Sequence, residues 1–188
     1  MGKYNIAACV KHFAAYGAAE AGRDYNTVDI SERNLREYYL PAYKRAVDAG
    51  VRMVMTAFNI VDGVPCVGNK HLVKDILRDE WGFDGVVISD YSAFEEQVIH
   101  GSCEDKKEAA YRAMTAGCDI EMVSSCYAEY IEELINEGKI TIEQVDKSVL
   151  RILDLKEELG VLDNPYRSVD VEESKKVQLC PEHRALAR

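Results

Sequence analysis

No run of apolar residues in this 188-residue chain approaches the roughly 20 that a membrane-spanning helix needs. Met1-Gly-Lys-Tyr leads straight into a strand-like segment, without the basic and then apolar pattern of a secretory leader. Positive charge is also scarce: 23 Lys and Arg stand against 33 Asp and Glu, for a formal net charge of -10. Nucleic acid and anionic membrane demand clustered Lys and Arg to neutralise phosphates, so neither is an expected partner. The six cysteines, Cys9, Cys66, Cys103, Cys118, Cys126 and Cys180, include no C-x-x-C pair and no Cys/His spacing of the zinc type. Neither a metal nor a cofactor is expected. Several of these thiols sit in apolar runs, where they act as small hydrophobes, which points to a reducing compartment and a cytoplasmic location. Disorder-promoting bias is lacking too, since 47% apolar and 30% charged residues are ordinary for a globular domain large enough to bury a real core.

What is present is an alternation of strand-like and helix-like segments. Ile6-Ala-Ala-Cys-Val10 is a short apolar run closing on Lys11-His12-Phe13, and a polar, glycine-containing loop follows to Ser31. Ser31-Glu-Arg-Asn34 opens a helical pattern through Leu35, Tyr38, Tyr39, Ala42, Ala46 and Val47 that stops at Gly50, with a kink expected at Pro41. Val51 to Phe58 reads as the second strand, and Val61-Asp-Gly-Val-Pro65 as a turn. Leu72, Ile76 and Leu77 mark the next amphipathic helix. Helical segments are expected around Phe94 to Ile99, over Lys106 to Ala116, near Tyr127 to Glu137 and over Ile142 to Leu159, with a short fourth strand at Cys118 to Met122.

Strands starting near residues 6, 52, 85 and 118 recur roughly every 33 to 46 residues, the size of a βα unit. Four such units make half of a (β/α)8 barrel, whose complete form runs to about 250 residues. The spacing also allows a small four-stranded open sheet. After Pro165 the signals fade, and the polar stretch to Arg188 resembles a linker.

The stretch Trp81-Gly-Phe-Asp-Gly-Val-Val-Ile-Ser-Asp90-Tyr91 reads as a buried strand that ends on an acid. Parallel α/β folds place their chemistry at the C-terminal ends of strands, where the loops surround a site. The competing structural reading is that Ser89 and Asp90 cap the following helix.

Lys11-His12-Phe13, Gly22-Arg-Asp-Tyr-Asn26, Asn59 to Pro65 with Asn69, Leu77-Arg-Asp-Glu-Trp-Gly-Phe83, Ser89-Asp90 and Asp119-Ile-Glu-Met122 occur in this order. Together they resemble the N-terminal barrel domain of family 3 glycoside hydrolases, nearest to bacterial β-glucosidases. Leu159 to Tyr166 resembles that domain's exit. The resemblance implies an α/β fold, the C-terminal half of a TIM-type (β/α)8 barrel, with a partial barrel domain over residues 1–166 and the start of an interdomain linker over 167–188. It implies that Asp90 is the nucleophile of a retaining, exo-acting β-glucosidase, and that Lys11 and His12 hold sugar hydroxyls in the innermost subsite. Met55, Phe58 and Tyr91 match site-lining positions. Phe58 replaces a tyrosine of many relatives, so a hydroxyl near the nucleophile is lost, and Tyr91 stands where several relatives have a sugar-stacking tryptophan. Arg23 and Asp24 fall on the loop after the first strand, with loop ordering as their first role and substrate binding as their second.

The same resemblance places the other half of the barrel, and the C-terminal domain that supplies the acid/base glutamate, outside these residues. The expected partner is a small β-glucoside or oligosaccharide. A β-xylosidase of the same family and a non-catalytic carbohydrate-binding half-domain are the alternatives. The N-acetylhexosaminidase branch is disfavoured, because Ala15-Tyr-Gly-Ala-Ala-Glu20 lacks its His-Asp loop. A half-barrel leaves strand edges unpaired and apolar faces bare, so self-association of the isolated chain is expected.

Overall fold

The computed structural model describes residues 6–166 and 170–188. The reading of Met1 to Tyr4 and the head of the expected linker, 167–169, lie outside the described residues. Among the described residues there are seven strands: β1 Cys9–Phe13, β2 Thr27–Val28, β3 Met53–Thr56, β4 Ile60–Val61, β5 Val64–Pro65, β6 Val86–Tyr91 and β7 Ile120–Met122. Four of them make the main sheet in the order β1-β3-β6-β7, every pair parallel. Each strand adds beside its predecessor without a reversal of order. That is how a barrel grows, whereas a doubly wound sheet reverses at a switch point.

Helices connect the strands. α1 Glu32–Asn34 and α2 Leu40–Asp48 are joined by a π-wound turn, Leu35–Tyr39. Ser31 caps the start, its hydroxyl accepting the Asn34 N–H at 3.2 Å. Pro41 has no N–H to give to the preceding turn, and the winding loosens just before it, with the Leu40 N–H reaching back to the Leu35 carbonyl. A second π-wound helix, His71–Glu80, lies between β5 and β6, followed by α3 Ala93–Ile99, α4 Lys106–Ala116, α5 Cys126–Asn136 and α6 Ile142–Glu158. Beyond residue 170 two short exposed helices, α7 Val171–Val177 and α8 Pro181–Leu186, occupy the stretch read as linker.

The polar loop and the turn of the sequence reading combine into a second sheet. β2 pairs with β4 in parallel, and β4 and β5 form a hairpin over Asp62 and Gly63. Both turn residues have positive φ, 52° and 75°, the requirement of the hairpin turn whose twist matches its strands.

The two faces of the main sheet differ. Val54 and Val87 are fully buried against Leu72, Ile76, Leu77, Ala110 and Ala113 of the helical layer. The register pairs Cys9 with Met53, Met53 with Val86, Met55 with Ile88, and Ile88 with Ile120. Of this opposite row, Cys9, Met53, Met55, Ile88 and Ile120 are only half-buried. It is the face that a closed barrel fills with side chains from all its strands.

One buried ion cluster pins the far ends of β6 and β7. Asp119, whose side chain is fully buried, accepts from Arg78 Nη2 at 2.6 Å, Arg151 Nη1 at 2.8 Å and the Val87 N–H at 2.8 Å. Arg78 also donates to the carbonyls of Gly85 and Gly117 at 3.2 and 2.7 Å. Gly117 has φ +98°, and a Cβ there would meet Arg78 Nε at 2.9 Å, so both its conformation and its neighbour demand glycine. Burial lowers the Arg78 pKa, opposed by the Asp119 carboxylate. Removing one partner leaves the other charge buried and uncompensated. Asp119→Ala or Arg78→Ala is therefore expected to cost about 3–5 kcal/mol of unfolding free energy. Urea unfolding checks this, and an unchanged midpoint would show that the cluster holds nothing.

Candidate active site

The strand ends that the sequence singled out come together. His12 and Asp90 are the penultimate residues of β1 and β6, with β3 between them. At ordinary strand spacing the two backbones are roughly 10 Å apart. Their side chains lean over the end of β3, and His12 Nε2 meets Asp90 Oδ2 at 3.2 Å. Both are mostly shielded, with side-chain exposures of 26% and 13%. The second Asp90 oxygen, Oδ1, accepts the Tyr91 N–H at 2.7 Å. The two oxygens thus face different partners, a ring nitrogen and a backbone N–H.

Local sequence explains the placement. The ladder between β6 and β7 slips between Ile88 and Tyr91. Ser89, fully buried, bridges the slip: its hydroxyl accepts the Met122 N–H and donates to the Asp90 carbonyl, both at 2.9 Å. Ser92 then takes a left-handed conformation, φ 55°, and gives its N–H to the Met122 carbonyl at 3.0 Å. α3 starts without a side-chain cap. Ser89 and Asp90 thus do not cap that helix; the serine repairs the sheet and the aspartate faces His12. On the other side, the Tyr43 hydroxyl of α2 donates to the His12 carbonyl and fixes the end of β1.

A loop over residues 14–26 rises beside the pair. Tyr16 donates to Asp24 Oδ1, which also takes the Tyr25 N–H at 3.0 Å, and Asn26 Nδ2 donates to the Glu20 carbonyl at 3.1 Å. The loop's aromatic rings run outward from the histidine. His12 and Tyr16 meet edge-on at 5.1 Å, Tyr16 and Phe58 lie 6.3 Å apart, and Phe58 and Tyr25 meet tilted by 41° at 4.4 Å. Asn59, fully buried, anchors the loop's base through the Ala14 carbonyl at 3.2 Å.

Negative charge dominates the surroundings. Burial pushes the Tyr16 phenol well above its ordinary pKa, and the Asp24 hydrogen bond adds to it. Partial burial raises the Tyr25 phenol as well, with Glu96, Asp24 and Asp90 contributing in that order. Glu96, on α3, is raised by burial and then by the charges of Asp90 and Asp24. Its Oε2 is shut off from water and has no hydrogen-bond partner among the described residues. Three His, Cys, Asp or Glu side chains converging as a metal would require are not found among the described residues.

Of the residues named from sequence, His12 and Asp90 are in direct contact. Phe58 stands two residues beyond β3 and belongs to the aromatic row. Met55 pairs in register with Ile88 on the half-buried face. Lys11 is exposed, and Tyr91 is 59% exposed beside Asp90. Tyr16, Tyr25 and Glu96 join these at the site without having stood out in the sequence. Tyr25 lay inside the quoted Gly22 to Asn26 stretch, which was a usable signal. Glu96 is one acid among several on a helix and carries no signal in its spacing.

A carboxylate and a histidine face each other at the C-terminal strand ends of a parallel βα array, the end at which barrel-type enzymes gather their chemistry. This chain belongs to glycosyl hydrolase family 3, whose N-terminal domain matches residues 1–155. It is similar to the β-glucosidase from Listeria innocua, with a TM-score of 0.92 and 50% identity over 98% of this chain and 26% of that one. The periplasmic β-glucosidase of Salmonella typhimurium is 41% identical over 97% of this chain and 24% of its own length. A xylan 1,4-β-xylosidase of Xylanibacter ruminicola is 38% identical over 84% of this chain and 19% of its own. The chain thus spans about a quarter or less of the length of these relatives.

The raised Glu96 has a measurable consequence. The folded chain keeps this proton to a higher pH than the unfolded one, so stability falls as pH rises from the ordinary value of 4.5 through the folded value. Glu96→Gln cannot ionise. It is expected to melt above the unaltered protein near pH 7, with the difference shrinking toward pH 4. A melting difference that ignores pH would show that the Glu96 charge is not disfavoured by folding.

Proposed function

We propose that these residues form part of a retaining, exo-acting β-glucosidase in which Asp90 is the nucleophile. The observation that carries the reading is the 3.2 Å contact of Asp90 with His12 at two strand ends, in a chain of this family. Asp90 Oδ2 attacks the anomeric carbon and forms a glycosyl ester as the bond to the leaving oxygen breaks. Water then cleaves the ester and regenerates the carboxylate. His12, through Nε2, orients the carboxylate and is placed to donate to a hydroxyl of the bound sugar. Lys11, on the same strand end, supplies a further donor. The proton for the leaving group comes from an acid in the rest of the full-length protein, together with the strands that cover the half-buried face. Glucose as the sugar is supported by the similar Listeria innocua enzyme, for which complexes with glucose and, in a variant, laminaribiose are known.

The test is Asp90→Asn in the full-length protein, assayed with an aryl β-glucoside. An amide cannot form the ester, so turnover is expected to fall by several orders of magnitude with the melting temperature preserved. Retention of more than about a tenth of the rate, worth under ~1.4 kcal/mol of barrier, would overturn the assignment.

A further inference from the structure

We infer that Tyr25 is the surface on which the leaving-group sugar rests, one subsite outward from Asp90. This rests on the β-glucosidase reading and names a residue for the part of the substrate that Asp90 does not touch. Four observations lead there.

First, Tyr25 is held in place. Its backbone is left-handed, φ 63°, and the loop is clamped on both sides of it by the Tyr16–Asp24 and Asn26–Glu20 hydrogen bonds. Second, the residue is partly bare. Phe58 packs against the ring at 4.4 Å with a tilt of 41°, and 38% of the residue is exposed. A packed loop tyrosine has no reason to be rigid and bare together. Rings of this kind bind the apolar faces of sugars, because little entropy is lost and much area is covered.

Third, its position is one layer out. His12 and Asp90 belong to strand ends, whereas Tyr25 belongs to the loop and packs on Phe58. In-line attack by Asp90 places the departing oxygen on the far side of the anomeric carbon, away from the strand end. The second sugar therefore lies among loop groups. Fourth, the ring borders the acids of the site: burial, then the charges of Glu96, Asp24 and Asp90, raise the Tyr25 phenol.

The experiment uses the full-length Asp90→Asn protein, so that a disaccharide is bound without being cleaved, and measures the affinities of glucose and laminaribiose by calorimetry. Adding Tyr25→Ala is expected to weaken laminaribiose about tenfold, a loss of ~1.4 kcal/mol, and to leave glucose within about twofold. Tyr25→Phe, which keeps the ring and the fold of the loop, is expected to change neither by more than about twofold. Parallel loss of both sugars on Tyr25→Ala, or no loss of either, would overturn the inference and leave the nucleophile assignment standing. Failure of the Asp90→Asn protein with Tyr25 intact to bind either sugar would overturn the β-glucosidase reading itself, and this inference with it.

Discussion

The buried carboxylate of Asp119 is the constraint on which the rest of the sheet depends. A charge without solvent needs several donors at once, and it finds them on the π-wound helix His71–Glu80, on α6 and on the backbone of β6. Four segments distant in sequence are therefore fixed to one atom pair. The register of β6 against β7 follows from it, since the Val87 N–H is one of the donors. So does the position of Asp90, three residues further along the same strand. The site is held from below by an ion cluster and closed from above by a loop.

Those two supports differ in kind. Strand ends are rigid because their neighbours on both sides share the ladder, and the Ser89 hydroxyl and the Tyr43 phenol fasten the points where the ladder gives out. The loop over residues 14–26 has no ladder. It holds by tight backbone turns over Tyr16–Ala18 and Glu20–Gly22, by side-chain hydrogen bonds and by the tilted contact of Tyr25 with Phe58, itself two residues beyond β3. A rigid floor suits a nucleophile that must meet one carbon in one geometry. A loop wall suits contacts that vary from substrate to substrate.

Much of this was legible in the sequence, for local reasons. Apolar runs of the β6 kind, the Ser31 cap and the glycine after α4 each act within a few residues, and the strand-end acid stood out because Val86 to Ile88 is so uniformly apolar. The family resemblance added His12 and Phe58. What escaped was long-range or too short to have a period. β2, β4 and β5 are two residues each, below any alternation signal, and only the Asp62-Gly63 turn betrayed them. Arg78 and Asp119 were both quoted as parts of motifs, yet nothing in a separation of 41 positions says that they pair. Glu96 looked like a solvated helix residue. Its carboxyl is unusual only because the chain turns at Ser92 and brings α3 back toward Asp90.

The half-buried face of the sheet is unusually rich in sulfur. Cys9, Met53 and Met55 lie on neighbouring strands in register, with Ile88 beside them. Conversion of a thioether to a sulfoxide turns an apolar, pliant side chain into a polar one. Wherever this face is covered, such a change would wedge polar oxygens into an apolar seam, and wherever it is bare, peroxide would reach it first. The extent of methionine oxidation on this row would thus be a chemical record of whether the face has been covered.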